Sequence, residues 1–312
     1  MAKNKRPGLA GIILAGLTFG LAGGVTLGTL VIAPNMPDQA DSQQVGEVDP
    51  LVAEINAAQA DTADAFIAEQ AEELVAGSLA QRPVLVMHDA DADEEDLGNV
   101  IWLLHKAGAV DAGRIKLNAQ FFSQDGADQL KSIVANTLPA GAQLSEDALD
   151  PGTHAGNALG AALLLDPGTA EPMATPEERA LLLESLKGSG YLDYEQGTIL
   201  PAQTIVLITG GNDGSGEGAF AAQNLANFAI SLDEAGNGAV LAGRITAASD
   251  TGAIALTREW AADRVSTVDS LSRTYGRMAT VLAVREQLDG GSGSYGSAAS
   301  ATDGAAPEVP AD

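Results

Sequence analysis

Near the start of the chain, Lys3, Lys5 and Arg6 are followed by twenty-five residues without a charge, Leu9 to Ala33. As a helix this run spans about 37 Å at 1.5 Å per residue, enough to cross a bilayer. No further Lys or Arg occurs until Arg82. The basic flank therefore predicts a cytoplasmic segment 1–8, a transmembrane anchor over 9–33, and a bulk that is extracytoplasmic. The run is long for the apolar core of a signal peptide. Its small-residue site, Val31-Ile32-Ala33, is followed by Pro34, which disfavours cleavage, so a retained anchor is expected. Gly16, Gly20, Gly24 and Gly28 recur every fourth residue along one face of that helix, where a second helix can approach closely.

A polar linker, 34–47, leads into a segment rich in Ala, Glu, Asp and Gln over 48–80. Its positions Val48, Leu51, Ile55, Ala58, Thr62 and Ala65 alternate steps of three and four, the spacing of a coiled-coil seam, although Thr62 and Glu69 weaken it. Two readings stay open: a helical, coiled-coil-like stalk that pairs two copies, or one amphipathic helix packed on the following domain. On the first reading Leu51, Ile55 and Phe66 join the anchor glycines as oligomerisation residues, and the expected assembly is a homodimer.

From Arg82 onward the texture alternates. Strands are expected at Pro83–His88, Gly113–Leu117, Thr204–Thr209, Ala239–Leu241 and Val265–Val268. Helices are expected at Glu95–Ala107, Ala127–Ala135, Ala155–Leu165, Pro176–Lys187, Glu217–Leu232 and Leu271–Leu288. Continuous apolar strands separated by helices predict an α/β domain over 82–289, a mostly parallel sheet with helices on both faces. Residues 290–312 are Gly, Ser, Ala and Pro with little to bury, and predict a disordered tail.

Composition narrows the partners. The chain of 312 residues has 16 Lys plus Arg against 42 Asp plus Glu, a net charge of −26, so nucleic acid is a poor partner. With no cysteine, disulfides, thiolate nucleophiles and Cys-type metal sites are excluded.

The densest group of potential ligands is Met87-His88-Asp89-Ala90-Asp91-Ala92-Asp93-Glu94-Glu95-Asp96, at the carboxyl end of the first strand, where ligands bind in open α/β sheets. Met87, His88, Asp89 and Asp91 are the candidate metal ligands. An imidazole beside a thioether suits copper, whereas a calcium loop would need glycine where Glu94 stands. The competing reading is that Asp93 to Asp96 cap the following helix and meet its positive end. Thr209 to Gly218 follows a strand and precedes a helix, as a phosphate loop does. It lacks a lysine, and Asp213 and Glu217 would repel phosphate, which favours a plain turn. His88, His105 and His154 share no ligand spacing, and no Gly-x-Ser-x-Gly elbow occurs, so a non-enzymatic protein is expected.

Several stretches together resemble one family: the strand at Pro83 followed by acids, Asn136 to Leu144, Gly156 to Leu164, Val206 to Gly211, and Val265 to Asp269. With the order anchor, stalk and α/β domain, they resemble the MctB copper-transporter family of actinobacterial envelopes from about residue 9 to residue 290. The resemblance implies an envelope protein engaged in copper efflux or homeostasis, with copper as the candidate metal, and it transfers no ligand residue. The residues themselves suggest an alternative. This is a non-enzymatic dimeric scaffold or regulator, held in the cell membrane (inner rather than outer), that docks periplasmic partners of cell-wall remodelling or cell separation.

Overall fold

The computed structural model describes residues 50–309. The expected cytoplasmic segment, anchor and linker, with Gly16, Gly20, Gly24 and Gly28, lie outside the described residues, as do residues 310–312. Among the described residues no helix is long and apolar enough to cross a membrane. The chain divides into two compact units, the first ending at Gln70 and resuming at Glu308, the second running from Ala71 to Pro307.

Helix α1, Pro50–Val75, contains 26 residues, about 39 Å of helix. In its first-unit part the chain is exposed nearly all round, including Leu51, Ile55 and Phe66 at 61, 47 and 54 %. In its second-unit part Ala71 and Val75 are buried.

The second unit is built on strands β1 (Pro83–His88), β2 (Val110–Leu117), β3 (Leu192–Tyr194), β4 (Thr204–Ile208), β5 (Ala239–Ala242), β6 (Ser266–Val268) and β7 (Ser294–Tyr295). They form one sheet in the order β3-β2-β1-β4-β5-β6-β7, parallel throughout except for the antiparallel pair β2–β3. Its helices are α2 (Glu94–Lys106), α3 (Ala127–Asn136), α4 (Pro151–Leu163), α5 (Pro176–Gly188), α6 (Ala219–Ala235), α7 (Ala253–Ala261) and α8 (Thr274–Leu288).

Side-chain alternation along the strands divides the packing between two faces. Leu85, Met87, Ile115, Leu117, Ile205 and Leu207 point into one core with Leu159 and Leu163 of α4 and Phe228 and Leu232 of α6. Val84, Val86, Val206, Ile208 and Val240 are equally buried but point the other way, where α8 lies against β4, β5 and β6 and also meets α2. Cover on that second face stops at β2, whose Val110, Arg114 and Lys116 are exposed.

Local signals explain the helix starts. Asp150 caps α4 by accepting from the Thr153 amide, with Pro151 at the first helical position, so the helix begins ahead of the apolar pattern that starts at Ala155. Thr175 and Glu178 form a reciprocal capping box on α5. Helices α4 and α6 cross closely: a Cβ placed on Gly156 would stand 2.5 Å from the Ser231 Cβ, and one on Gly160 2.5 Å from the Ala235 Cβ.

Three elements have no counterpart in the sequence pattern, namely β3, α7 and β7. The last also corrects the expectation of a disordered tail. Ser294 and Tyr295 pair with Thr267 and Val268, and Tyr295 is 5 % exposed. The segment is poor in apolar residues, as the composition says, and it is ordered by polar groups instead. Arg258 of α7 donates to the Tyr295 carbonyl and the Ser300 hydroxyl, and Asp269 accepts from the Ser297 and Ala298 amides.

Candidate functional site

Strands β1 and β4 are neighbours at the centre of the sheet, and the chain leaves β1 toward β2 on the opposite side. The crevice beyond their carboxyl ends is therefore the topological switch point, where ligands settle in open α/β sheets. It has a volume of about 820 Å³ and is lined among others by Asp91, Glu94, Glu95, Arg244, Thr246 and Ser272.

Asp89 begins the loop after β1. Its amide donates to the Ile208 carbonyl at 3.0 Å, which continues the ladder one residue past the strand. One carboxylate oxygen accepts from the Asp91 amide at 3.0 Å, and the other takes the Thr209 hydroxyl at the end of β4. Burial pushes the Asp89 carboxyl up to about 6, with the Asp91 charge adding to that rise, while the Thr209 hydroxyl and the loop amides oppose it.

The acids that follow have structural work. Asp93 is the N-cap of α2 and accepts from the Glu95 and Asp96 amides at 3.0 and 3.1 Å. Those bonds, chiefly that from Asp96, hold its carboxyl below the usual range. Asp96, with a side chain 3 % exposed, binds Arg244 Nε at 2.8 Å through one oxygen and Arg277 Nη2 at 2.7 Å through the other. Arg244 also reaches Asp93 at 2.8 Å, and Arg277 donates to the Leu271 carbonyl. Two arginines thus tie the start of α2 to the loop after β5 and to α8. The capping reading of this acidic stretch accounts for Asp93, whereas the Asp96 carboxylate is taken by the two arginines.

The four candidate metal ligands do not converge. Met87 is fully buried in the core shared with α4 and α6, whereas His88, the next residue of the strand, points to the opposite face. His88 lines a groove of about 530 Å³ with His105, Arg114, Lys116, Asp193 and Tyr194, on the uncovered part of the sheet. Its Nδ1 lies 3.1 Å from the Asp89 carbonyl oxygen, and burial lowers its pKa. Asp91 belongs to the crevice. Among the described residues, no group of three or more His, Cys, Asp or Glu side chains is placed to hold a metal ion. His154 is buried on α4, its Nε2 beside the Ser145 carbonyl oxygen.

The loop from Thr209 to Gly218 is a turn held by its own side chains. Asn212 accepts from the Gly214 amide and Asp213 from that of Ser215, while Thr251 donates to the Asp213 carbonyl. What the sequence did not reveal is the role of Thr209, Arg244 and Arg277. Arg244 and Arg277 lie 148 and 181 positions from Asp96, and their one signal was the scarcity of cations in so acidic a chain.

Comparison with known proteins yields one family. The family model described as copper transport outer membrane protein, MctB, matches residues 11–306. The copper transporter MctB of Mycobacterium bovis is 30 % identical over 298 residues, which cover 91 % of this chain and 94 % of that protein. The protein of the same name from Mycobacterium tuberculosis has the same identity and coverage. That of Mycobacterium leprae is 32 % identical over 224 residues, 68 % of this chain and 69 % of its own length.

Proposed function

Because this chain belongs to the MctB family, we propose that it is a membrane-anchored envelope protein whose work is copper homeostasis, with copper as cargo. The observation that carries this reading is the length of the match. It runs from inside the charge-free segment to the end of the folded unit, so both the proposed anchor and the α/β unit are shared with relatives named as copper transporters.

The chemistry limits how the chain can contribute. Its described sheet is open, with β3 and β7 at the edges, and helices lie against the strands, whereas a membrane-spanning barrel is closed and faces lipid. Copper passage is therefore not assigned to these strands, and the α/β unit acts as a non-enzymatic module held outside the cytoplasmic membrane. The test is to delete the chain from its host and measure growth across a copper series. Lowered tolerance that the intact chain restores is expected; unchanged tolerance would remove copper from the function.

A second reading is favoured by α1. Leu51, Ile55 and Phe66 are 61, 47 and 54 % exposed on one side of a helix rich in Ala and acids, a pattern that suits pairing with another helix. On this reading the chain is a dimeric scaffold for envelope partners, paired through this stalk and the anchor glycines. Replacing Ile55 and Phe66 by Asp is expected to halve the mass of the full chain in detergent, measured by light scattering. A wild-type monomer, or an unaltered dimer, would count against the stalk.

A further inference from the structure

The segment after α8 is held at the sheet edge in an unusual way. Its backbone is read by the body of the unit: the Thr267 amide donates to the Gly293 carbonyl, the Asp269 amide to that of Tyr295, and Arg258 Nη2 to the same Tyr295 carbonyl at 2.8 Å. In return the Ser297 and Ala298 amides donate to the Asp269 carboxylate, and the Gly293 amide to the Ser266 hydroxyl. Side-chain contacts are fewer, chiefly Tyr295 to Glu286 and Ser300 to Arg258.

Arg258 and Asp269 form a 3.0 Å ion pair whose side chains are 5 and 0 % exposed. When the segment leaves, these two charges lose several hydrogen-bond partners at once, and the three-residue edge of β6 loses its neighbour. Buried charges and bare strand edges both favour refilling. The apolar side chains the segment buries are few, Tyr295 and Pro307 with Ala298 packed against the main core, and it joins α8 through Gly290 and Gly291, the first at φ +83°. Release is therefore inexpensive in apolar burial, while the vacated cleft retains its demand for an extended strand.

The cleft is selective about what refills it. A Cβ on Gly296, whose φ is +134°, would stand 2.2 Å from an Asp269 carboxylate oxygen, so the position after the tyrosine must be glycine. The strand that meets this requirement by construction is the same segment of a second copy. We propose that residues 291–307 exchange between two copies of this chain, each lending its β7 to the β6 edge of the other. Exchange of a terminal strand adds no new interface chemistry, since every contact that forms is one that broke.

The lack of native cysteine makes a direct test clean. Thr267 and Ser294 are paired across β6 and β7 and both are buried, and neighbouring strands lie about 4.8 Å apart, within disulfide reach. Full chains carrying Thr267→Cys alone are mixed with full chains carrying Ser294→Cys alone, under a mild glutathione oxidant. Exchange predicts a disulfide-linked dimer with one chain of each kind, absent when either variant is oxidised by itself.

A chain with both substitutions should close the bridge internally from the unexchanged state and between two chains from the exchanged state. Internal closure without any mixed dimer would overturn the proposal. That result would leave a stalk-paired dimer intact, because α1 does not take part in this link. An independent measurement uses the full chain with Gly296→Val, whose own segment no longer fits. It should bind a synthetic peptide of residues 291–307 saturably, and adding Asp269→Ala should weaken that binding about tenfold, the worth of charge-assisted hydrogen bonds. No binding to the Gly296→Val chain would also overturn the exchange.

Discussion

Asp89 shows how one residue can look like a ligand in sequence and act as a hinge pin in structure. It joins the ends of the two central strands through Thr209 and the Ile208 carbonyl, and it is 9 % exposed. Burial raises its carboxyl to about 6 from an unfolded value near 3.8. The folded state therefore holds this proton more tightly than the unfolded chain. The associated stability is fully present below about pH 4 and is lost as the pH rises through 6, by an amount on the order of 2–3 kcal/mol. Asp89→Asn removes that titration; its amide oxygen can keep the bond from the Asp91 amide, while its Nδ2 donates to the Thr209 hydroxyl oxygen in place of the bond the carboxylate accepted. Urea unfolding from pH 4 to 7.5 should show the variant gaining on the native protein across this window. A constant difference between the two proteins would disprove the buried carboxyl's role. Other side chains of this stretch were legible: Asp93 before a helix reads as a cap, and it is one. Asp96 was not, because its partners Arg244 and Arg277 come from segments that only folding brings together.

Elements with strong periodicity were readable and elements without it were not. Leu97, Val100, Leu103 and Leu104 recur at helical steps on α2 and are all buried, as their spacing predicts. Helix α7 instead buries Thr257 and Arg258 beside Ala253 and Ile254, so its inward face does not look apolar. Strand β3 has three residues and β7 two, too short for alternation to register. Helix α4 poses a conflict between propensity and packing. Glycine inside a helix is about 1 kcal/mol worse than alanine, so Gly156→Ala should stabilise if only propensity mattered. The added Cβ would meet the Ser231 Cβ at 2.5 Å and the Phe228 carbonyl oxygen at 2.9 Å, and overpacking of that kind costs about 1–3 kcal/mol. Packing wins, and thermal unfolding of Gly156→Ala should show a lower midpoint than the native chain. A raised midpoint would mean that α4 and α6 separate without penalty.

For the whole molecule, the order of strands and helices was enough to predict a mostly parallel α/β sheet, because buried parallel strands must be apolar on both faces and need helices between them. Composition also limited the chemistry: without cysteine no disulfide can form, and 42 acidic against 16 basic residues make nucleic acid a poor partner to expect. Those conclusions depend on local pattern or on counts, which the chain carries in any conformation. Tertiary structure decided the rest. It left part of the sheet beyond β2 uncovered, joined Asp89 to Thr209, and spent Asp96 on an arginine clasp. It also turned the Gly- and Ser-rich end of the chain into an edge strand through Arg258 and Asp269. Each of these outcomes depends on which residues meet across distances of tens to hundreds of positions. Such meetings are set by chain topology and the exclusion of water, neither of which local spacing records.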